Sequence, residues 1–146
     1  MIYINKEDLI SIIQERLMGE SVSLAAGINL DDNTILDDIE QKAIDLAIAY
    51  ISGTYDYTQI FAEAAPIRNG VLVQAIASIV VYRSVRRNAS RKVPEDYIQL
   101  YNDAKKDLER IQSGALNLVN CPKLTTDEGT SISPIYGNNT NDDLFI

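Results

Sequence analysis

The side chains that most often perform catalysis or bind metal ions are scarce in this sequence. It contains no histidine and a single cysteine, Cys121. The absence of histidine removes the usual general base, the common serine triad and most zinc sites. Cys121 lies between Asn120 and Pro122, whereas a reactive thiol needs a neighbouring base or an electropositive setting. We therefore predict an inert thiol, no catalytic residue, no metal site and no cofactor.

Two groups of acidic residues raise the alternative of a cation site. The sequence Asp31-Asp32-Asn33 is followed by Asp37-Asp38-Ile39-Glu40. A calcium loop needs oxygen ligands at alternate positions and a glycine at the sixth. Counted from Asp31, the fifth and sixth positions are Ile35 and Leu36, so the pattern fails. Acids that stabilise the positive end of a helix explain these residues better.

Basic residues are concentrated in one segment, and they form a candidate contact surface. The cluster consists of Arg83, Arg86, Arg87, Arg91 and Lys92. Cations near the C-terminal end of a helix are stabilised by its dipole, which explains part of the cluster without any function. The calculated pI of 4.4 disfavours sequence-specific nucleic-acid recognition. We predict that the cluster contacts either a neighbouring subunit or, non-specifically, DNA that passes through a channel.

The net charge of −8 is distributed unevenly along the chain. Residues 1–66 carry a net charge of −9, residues 67–112 carry +4, and residues 113–146 carry −3. Oppositely charged faces allow copies of one protein to stack through complementary fields, although solubility with incidental clustering would give the same numbers. A chain of 146 residues, 46% of them hydrophobic, is sufficient for one domain with its own core.

Helix start signals, apolar periodicity and stop signals predict an all-α fold, a small bundle of about four helices. The first helix is predicted over residues 6–18, with Asn5 and Asp8 forming a capping box and Gly19 ending the helix. The second is predicted over residues 35–52, capped by Thr34.

The third helix is predicted over residues 66–87, with Pro66 in its first turn. Between residues 71 and 82 only Gln74 and Ser78 are polar. A helix that is apolar on nearly all sides belongs in the middle of a fold. This apolar run is too long for a typical buried strand, and it is shorter than the roughly 20 residues of a membrane span.

The fourth helix begins at Pro94 and closes at Gly114, and no helical pattern follows it. We assign residues 1–114 to a helical domain and residues 115–146 to an extended C-terminal arm. The candidate docking residues of the arm are Ile132, Ile135, Tyr136, Leu144, Phe145 and Ile146. A purely solvating tail would not end in three apolar residues, so we expect the arm to dock on a partner. A frayed terminus is the alternative.

A series of short motifs runs in a fixed order through residues 1–118. They are Tyr3-Ile4-Asn5 with Asp8-Leu9, Ala49-Tyr50-Ile51-Ser52-Gly53-Thr54-Tyr55, the apolar third helix with its terminal arginines, Tyr97, Tyr101, Asp103-Ala104, Leu108, and Ile111-Gln112-Ser113-Gly114-Ala115-Leu116. In this order and spacing the chain resembles the head–tail connector, or adaptor, proteins of tailed bacteriophages, in particular the Mu-like small neck proteins. It departs from that family at Thr54, where an arginine is frequent, and at residues 60–65, where a proline-rich loop is usual.

The resemblance implies a structural virion protein, made in the host cytoplasm, and not an enzyme. Such proteins form a ring, commonly of twelve copies, in the phage neck below the portal. The implied partners are further copies of the chain, the portal protein and the next neck or tail protein, with possible non-specific contact to packaged DNA and no membrane. The alternative is a cytoplasmic helical binding or chaperone-like module that acts as a monomer or dimer. An enzyme that uses carboxylates alone is the third hypothesis.

Overall fold

Residues 1–22, 33–88 and 92–125 are described by the structure, a computed structural model. Within these ranges the chain forms the helices α1 (Lys6–Ile10), α2 (Glu15–Val22), α3 (Thr34–Ile51), α4 (Tyr57–Ile60), α5 (Gly70–Asn88) and α6 (Glu95–Gln112). In the same ranges β-structure is limited to isolated bridges, such as the antiparallel one between Tyr55 and Lys123. The predicted all-α class is confirmed.

Helix α5 is the centre of the fold, and the other long helices pack around it. It contacts α1, α2, α3 and α6. Its fully buried apolar side chains are Leu72, Ala75, Ile76, Ala77, Ile79, Val80 and Val81. The hydroxyl of Ser84, also buried, donates a hydrogen bond to the carbonyl oxygen of Val80 at 2.8 Å, so it adds no unsatisfied group. The expectation of a central apolar helix is confirmed.

Helices α5 and α6 pack against each other as an antiparallel pair. Tyr82, near the end of α5, stacks on Tyr101, near the start of α6, with ring centroids 4.4 Å apart. Pro94, predicted as the first residue of this helix, is its N-cap, and α6 begins one residue later at Glu95. Gly114 follows it with φ of +77°, a left-handed conformation that favours glycine after a helix.

The start of α5 differs from the prediction. The helix begins at Gly70 and not at Pro66. The side-chain oxygen of Asn69 accepts the N–H groups of Val71 at 3.0 Å and Leu72 at 3.4 Å, so Asn69 caps the helix. The N–H of Ile67 donates to the carbonyl oxygen of Ile60 at 2.9 Å. This bond holds residues 66–69 in a loop that closes on α4, which explains why the proline does not start the helix.

The first predicted helix is wrong in its extent. The capping box of Asn5 and Asp8 is present, but α1 ends at Ile10 and a turn separates it from α2. Gly19 lies inside α2, where no atom would contact an added side chain, and it ends no helix. The turn redirects the chain, so Ile13 and Met18 are buried while Leu17 is exposed.

Helix α3 lies within one residue of its predicted bounds. Its cap is Asn33 and not Thr34, because the Asn33 side chain accepts the N–H groups of Ile35 and Leu36 at 3.0 and 3.2 Å. Thr34 is the first helical residue. Asn and Thr are both good caps, and the choice between adjacent residues depends on the local backbone.

Candidate docking surfaces

A shallow depression open to solvent lies on the surface between α3 and α5. Its lining, which we call the α3 depression, consists of Lys42, Asp45, Leu46, Ala49 and Arg83. Its volume is about 580 Å³ and most of its lining surface is apolar. Because it is open, it suits a chain segment laid on the surface better than an enclosed small molecule.

The charges at the edge of the α3 depression are only partly neutralised by residues that the structure describes. Lys42 forms an exposed ion pair with Asp38 at 2.6 Å. The side-chain amide of Gln41 donates to Asp45 at 3.0 Å. The half-buried Arg83 forms no ion pair with any residue in the described ranges. The depression therefore combines an apolar floor with a guanidinium that is available to an incoming carboxylate.

The structure places the described members of the predicted basic cluster in two settings. Arg83 lines the α3 depression, whereas Arg86, Arg87 and Lys92 are exposed at and beyond the C-terminal end of α5. Arg91 lies outside the described residues. The helix dipole favours Arg86 and Arg87 at this end. Arg83 thus shares a surface with α3.

The first part of the predicted arm, residues 115–125, lies against the chain's own helical body. We call this segment the arm root. Leu118 and Cys121 are buried, and the N–H of Leu118 donates to the hydroxyl of Tyr55 at 2.9 Å. The N–H of Leu124 donates to the carbonyl oxygen of Thr54 at 3.0 Å, next to the bridge between Tyr55 and Lys123. These contacts fix the arm root beside the C-terminal end of α3.

Asn120 ties the arm root to the loop before α5. Its side-chain oxygen accepts from the amide of Asn69 at 2.7 Å, and its own amide donates to the carbonyl oxygen of Arg68 at 3.1 Å. Arg68 in turn pairs with Asp8 at 2.5 Å, so α1 joins the same network. Asn69 is also the cap of α5. The arm root, α1 and the start of the central helix are therefore held together by one set of polar contacts.

Glu40 is a buried carboxylate that sequence reasoning placed among the helix-capping acids and did not single out. The side chain is 1% exposed. One of its oxygens accepts the N–H groups of Tyr3 and Ile4, both at 2.9 Å, and the other accepts that of Ile2 at 2.7 Å. A signal was present in the sequence, because Glu40 lies four residues after Leu36 on the buried face of α3.

Tyr3 holds the other side of the N-terminal segment. Its hydroxyl donates to the carbonyl oxygen of Ile67 at 3.2 Å and accepts the N–H of Asn69 at 3.1 Å. Its ring packs edge-on against Phe61, with centroids 4.7 Å apart. Burial raises the pKa of Tyr3 to about 12, and the hydrogen bond from Asn69 only partly offsets that effect. The side chain therefore acts as a neutral structural anchor.

The remaining predicted positions are divided between the described and undescribed parts of the chain. Ile132, Ile135, Tyr136, Leu144, Phe145 and Ile146 lie outside the described residues. Burial raises the pKa of the Cys121 thiol, which disfavours the reactive thiolate. Across residues 1–22, 33–88 and 92–125, no group of three or more acidic or cysteine side chains is placed to hold a metal ion.

Comparisons with known proteins add no identity. No family model matches the chain, and no curated protein matches it at a significant level. In the part of the chain that the structure describes, no helix is both long enough and apolar enough to cross a membrane.

Proposed function

We propose that this chain is a structural virion protein, a head–tail connector that forms a ring in the phage neck between portal and tail and extends the DNA channel. The resemblance of residues 1–118 to such proteins is the first support. The observation that carries the proposal is the fixed arm root, because it gives the rest of the arm a defined point of departure from the body.

The length of chain beyond the arm root is sufficient to reach a neighbouring body. Residues 126–146 span at most roughly 70 Å when fully extended. A body of about 125 residues is about 35 Å across, as estimated from the usual relation of size to chain length. The apolar groups at residues 132–136 and 144–146 are therefore within reach of an adjacent subunit, the portal or the next neck protein.

The distribution of charge suits a ring of identical subunits. Residues 1–66 are strongly acidic, and Arg86 and Arg87 are exposed at the end of the central helix. A positive patch that meets a negative one on the next copy fixes the register of the contact and speeds association. Inward-facing arginines would instead contact the phosphates of DNA in the channel, independently of its sequence.

Deletion of residues 137–146 tests the role of the arm in assembly. We expect helicity and the melting temperature to stay nearly unchanged, since the buried contacts of the arm root are kept, while assembly with the portal weakens. Circular dichroism and sedimentation velocity measure the two effects. The variant L144S/F145S/I146S, which keeps the length of the arm, is the matched comparison. Unimpaired assembly of both variants would contradict the proposed role of the arm.

A further inference from the structure

We propose that the α3 depression of one copy receives residues 142–146, Asp-Asp-Leu-Phe-Ile, of a second copy. The inference rests on the proposed function, since it names the surface through which neighbouring subunits of the ring hold each other. It extends the proposed function because it names both sides of one contact between subunits, the α3 depression and residues 142–146.

The chemistry of the two surfaces is complementary. The depression offers the apolar side chains of Leu46 and Ala49 beside the cations Lys42 and Arg83. The segment offers two carboxylates followed at once by three apolar residues. A guanidinium that has no ion-pair partner among the described residues binds a carboxylate through strong, charge-assisted hydrogen bonds. Asp45 lines the same depression and Asp38 pairs with Lys42, so Arg83, which has no ion pair in the described ranges, is the cation that receives a carboxylate of the segment.

The spacer before the segment is long enough to reach a second copy. The arm root is bonded to Thr54, and Leu46 lies only eight residues before Thr54, about 12 Å along a helix of this rise. About four extended residues would cover that distance, yet sixteen residues, 126–141, separate the arm root from the segment. When extended they reach roughly 55 Å, which exceeds the body diameter of about 35 Å. The spacer is therefore long enough to carry the segment to the depression of another body, and the mixing experiment below distinguishes that contact from one within a single chain.

Charge reversal on the full chain tests the contact. The variant K42E/R83E reverses the charge of the two basic side chains in the depression, and the variant D142K/D143K reverses the charge of the two acidic side chains in the segment. Each alone places like charges opposite one another, and we expect the concentration for half-maximal assembly to rise roughly 10-fold or more in each case. The matched control K106E/R110E makes the same charge change at exposed positions of α6 and should assemble like the wild type. Circular dichroism establishes that every variant is folded.

Mixing the two variants is the decisive step. In a mixture, every segment meets a depression of opposite charge on the other variant, so native mass spectrometry should detect mixed oligomers that neither variant forms alone. The fourfold variant K42E/R83E/D142K/D143K should assemble by itself. If the fourfold variant assembles and the mixture does not, the contact lies within one chain and the proposal is overturned.

The inference and the proposed function fail in different ways. A wild-type chain that forms rings while K42E/R83E and D142K/D143K assemble equally well overturns the inference alone. A folded wild-type chain that stays monomeric at all concentrations, with and without portal, overturns both.

Discussion

The carboxylate of Glu40 accepts hydrogen bonds from three consecutive backbone N–H groups, those of residues 2–4. It therefore holds in place the segment that leads into α1. The same segment is held from the other side by the hydroxyl of Tyr3, which bonds to the loop that caps α5. Buried polar groups of this kind stabilise a fold only when each has its partners. In the described ranges no buried side-chain nitrogen or oxygen lacks a partner.

Replacement of Glu40 by glutamine tests these hydrogen bonds. The amide keeps one acceptor oxygen but turns a donor toward one of the N–H groups, so one buried donor loses its bond. We expect the free energy of unfolding to fall by about 1–3 kcal/mol in urea denaturation. The control E109Q, at an exposed position of α6, should stay within about 0.5 kcal/mol of the wild type. Equal effects of the two substitutions would show that the buried carboxylate is dispensable.

Because the pKa of Tyr3 is raised in the folded chain, we expect the protein to lose stability at high pH. Its pKa is raised to about 12 in the folded chain against 10.0 for the unperturbed side chain, so the unfolded chain loses this proton first as pH rises. The contribution of protonated Tyr3 to the free energy of unfolding is therefore fully present below pH 10 and is lost between pH 10 and 12. Over that range the free energy of unfolding falls by at most about 1.4 kcal/mol per pH unit. Y3F should be less stable at pH 8 yet decline less steeply above pH 10. Parallel urea-denaturation profiles for the two proteins would contradict this assignment.

At the scale of elements, the arm root belongs to the helical body. Leu118 is 3% exposed, while the adjacent Val119 is 96% exposed, so two neighbouring aliphatic residues form an internal comparison. We expect L118A to lower the free energy of unfolding by about 2–4 kcal/mol through lost burial and a residual cavity. V119A should change it by no more than about 0.5 kcal/mol. Urea denaturation measures both, and a neutral L118A would mean that the arm root contributes no stability.

The elements predicted well are those whose ends depend on local signals. Helix α6 lies between Pro94 and Gly114 as expected, and α3 was placed within one residue, because caps and stop residues act over a few positions. The start of α5 was missed because a bond between Ile67 and Ile60 overrides the local preference of Pro66. The break between α1 and α2 was missed because residues 11–14 contain neither glycine nor proline, the usual signals for the end of a helix.

The candidate sites were predicted less well because they depend on contacts between distant residues. The N–H of Leu118 bonds to the hydroxyl of Tyr55, which lies 63 residues earlier, and no pattern within residues 115–125 indicates that partner. The basic cluster could be read as a set of residues, but its division between the α3 depression and the end of α5 follows from the packing of α5 on α3. The sequence shows Glu40 as an acidic residue among the apolar residues of α3, but it does not indicate that residues 2–4 donate to it.

At the scale of the whole molecule, the structure combines a body built around one apolar helix with surfaces that differ in charge and in apolar character. The exposed acidic side chains of α3 and the exposed arginines of α5 lie on the surface of that body, and the sequence beyond residue 125 adds a third candidate contact between copies. Head-to-tail contacts of this kind, between two different surfaces of one chain, close into a ring when the rotation between subunits allows it. A connector requires that these contacts close into a ring and do not continue into an open filament.

Electron microscopy of the purified chain, alone and mixed with its portal protein, shows whether the chain forms a connector ring. We expect closed rings with a central channel, stacked coaxially on the portal in the mixture. Particles that remain single copies or dimers in both preparations, with no added density on the portal, would contradict it and would favour a helical binding module.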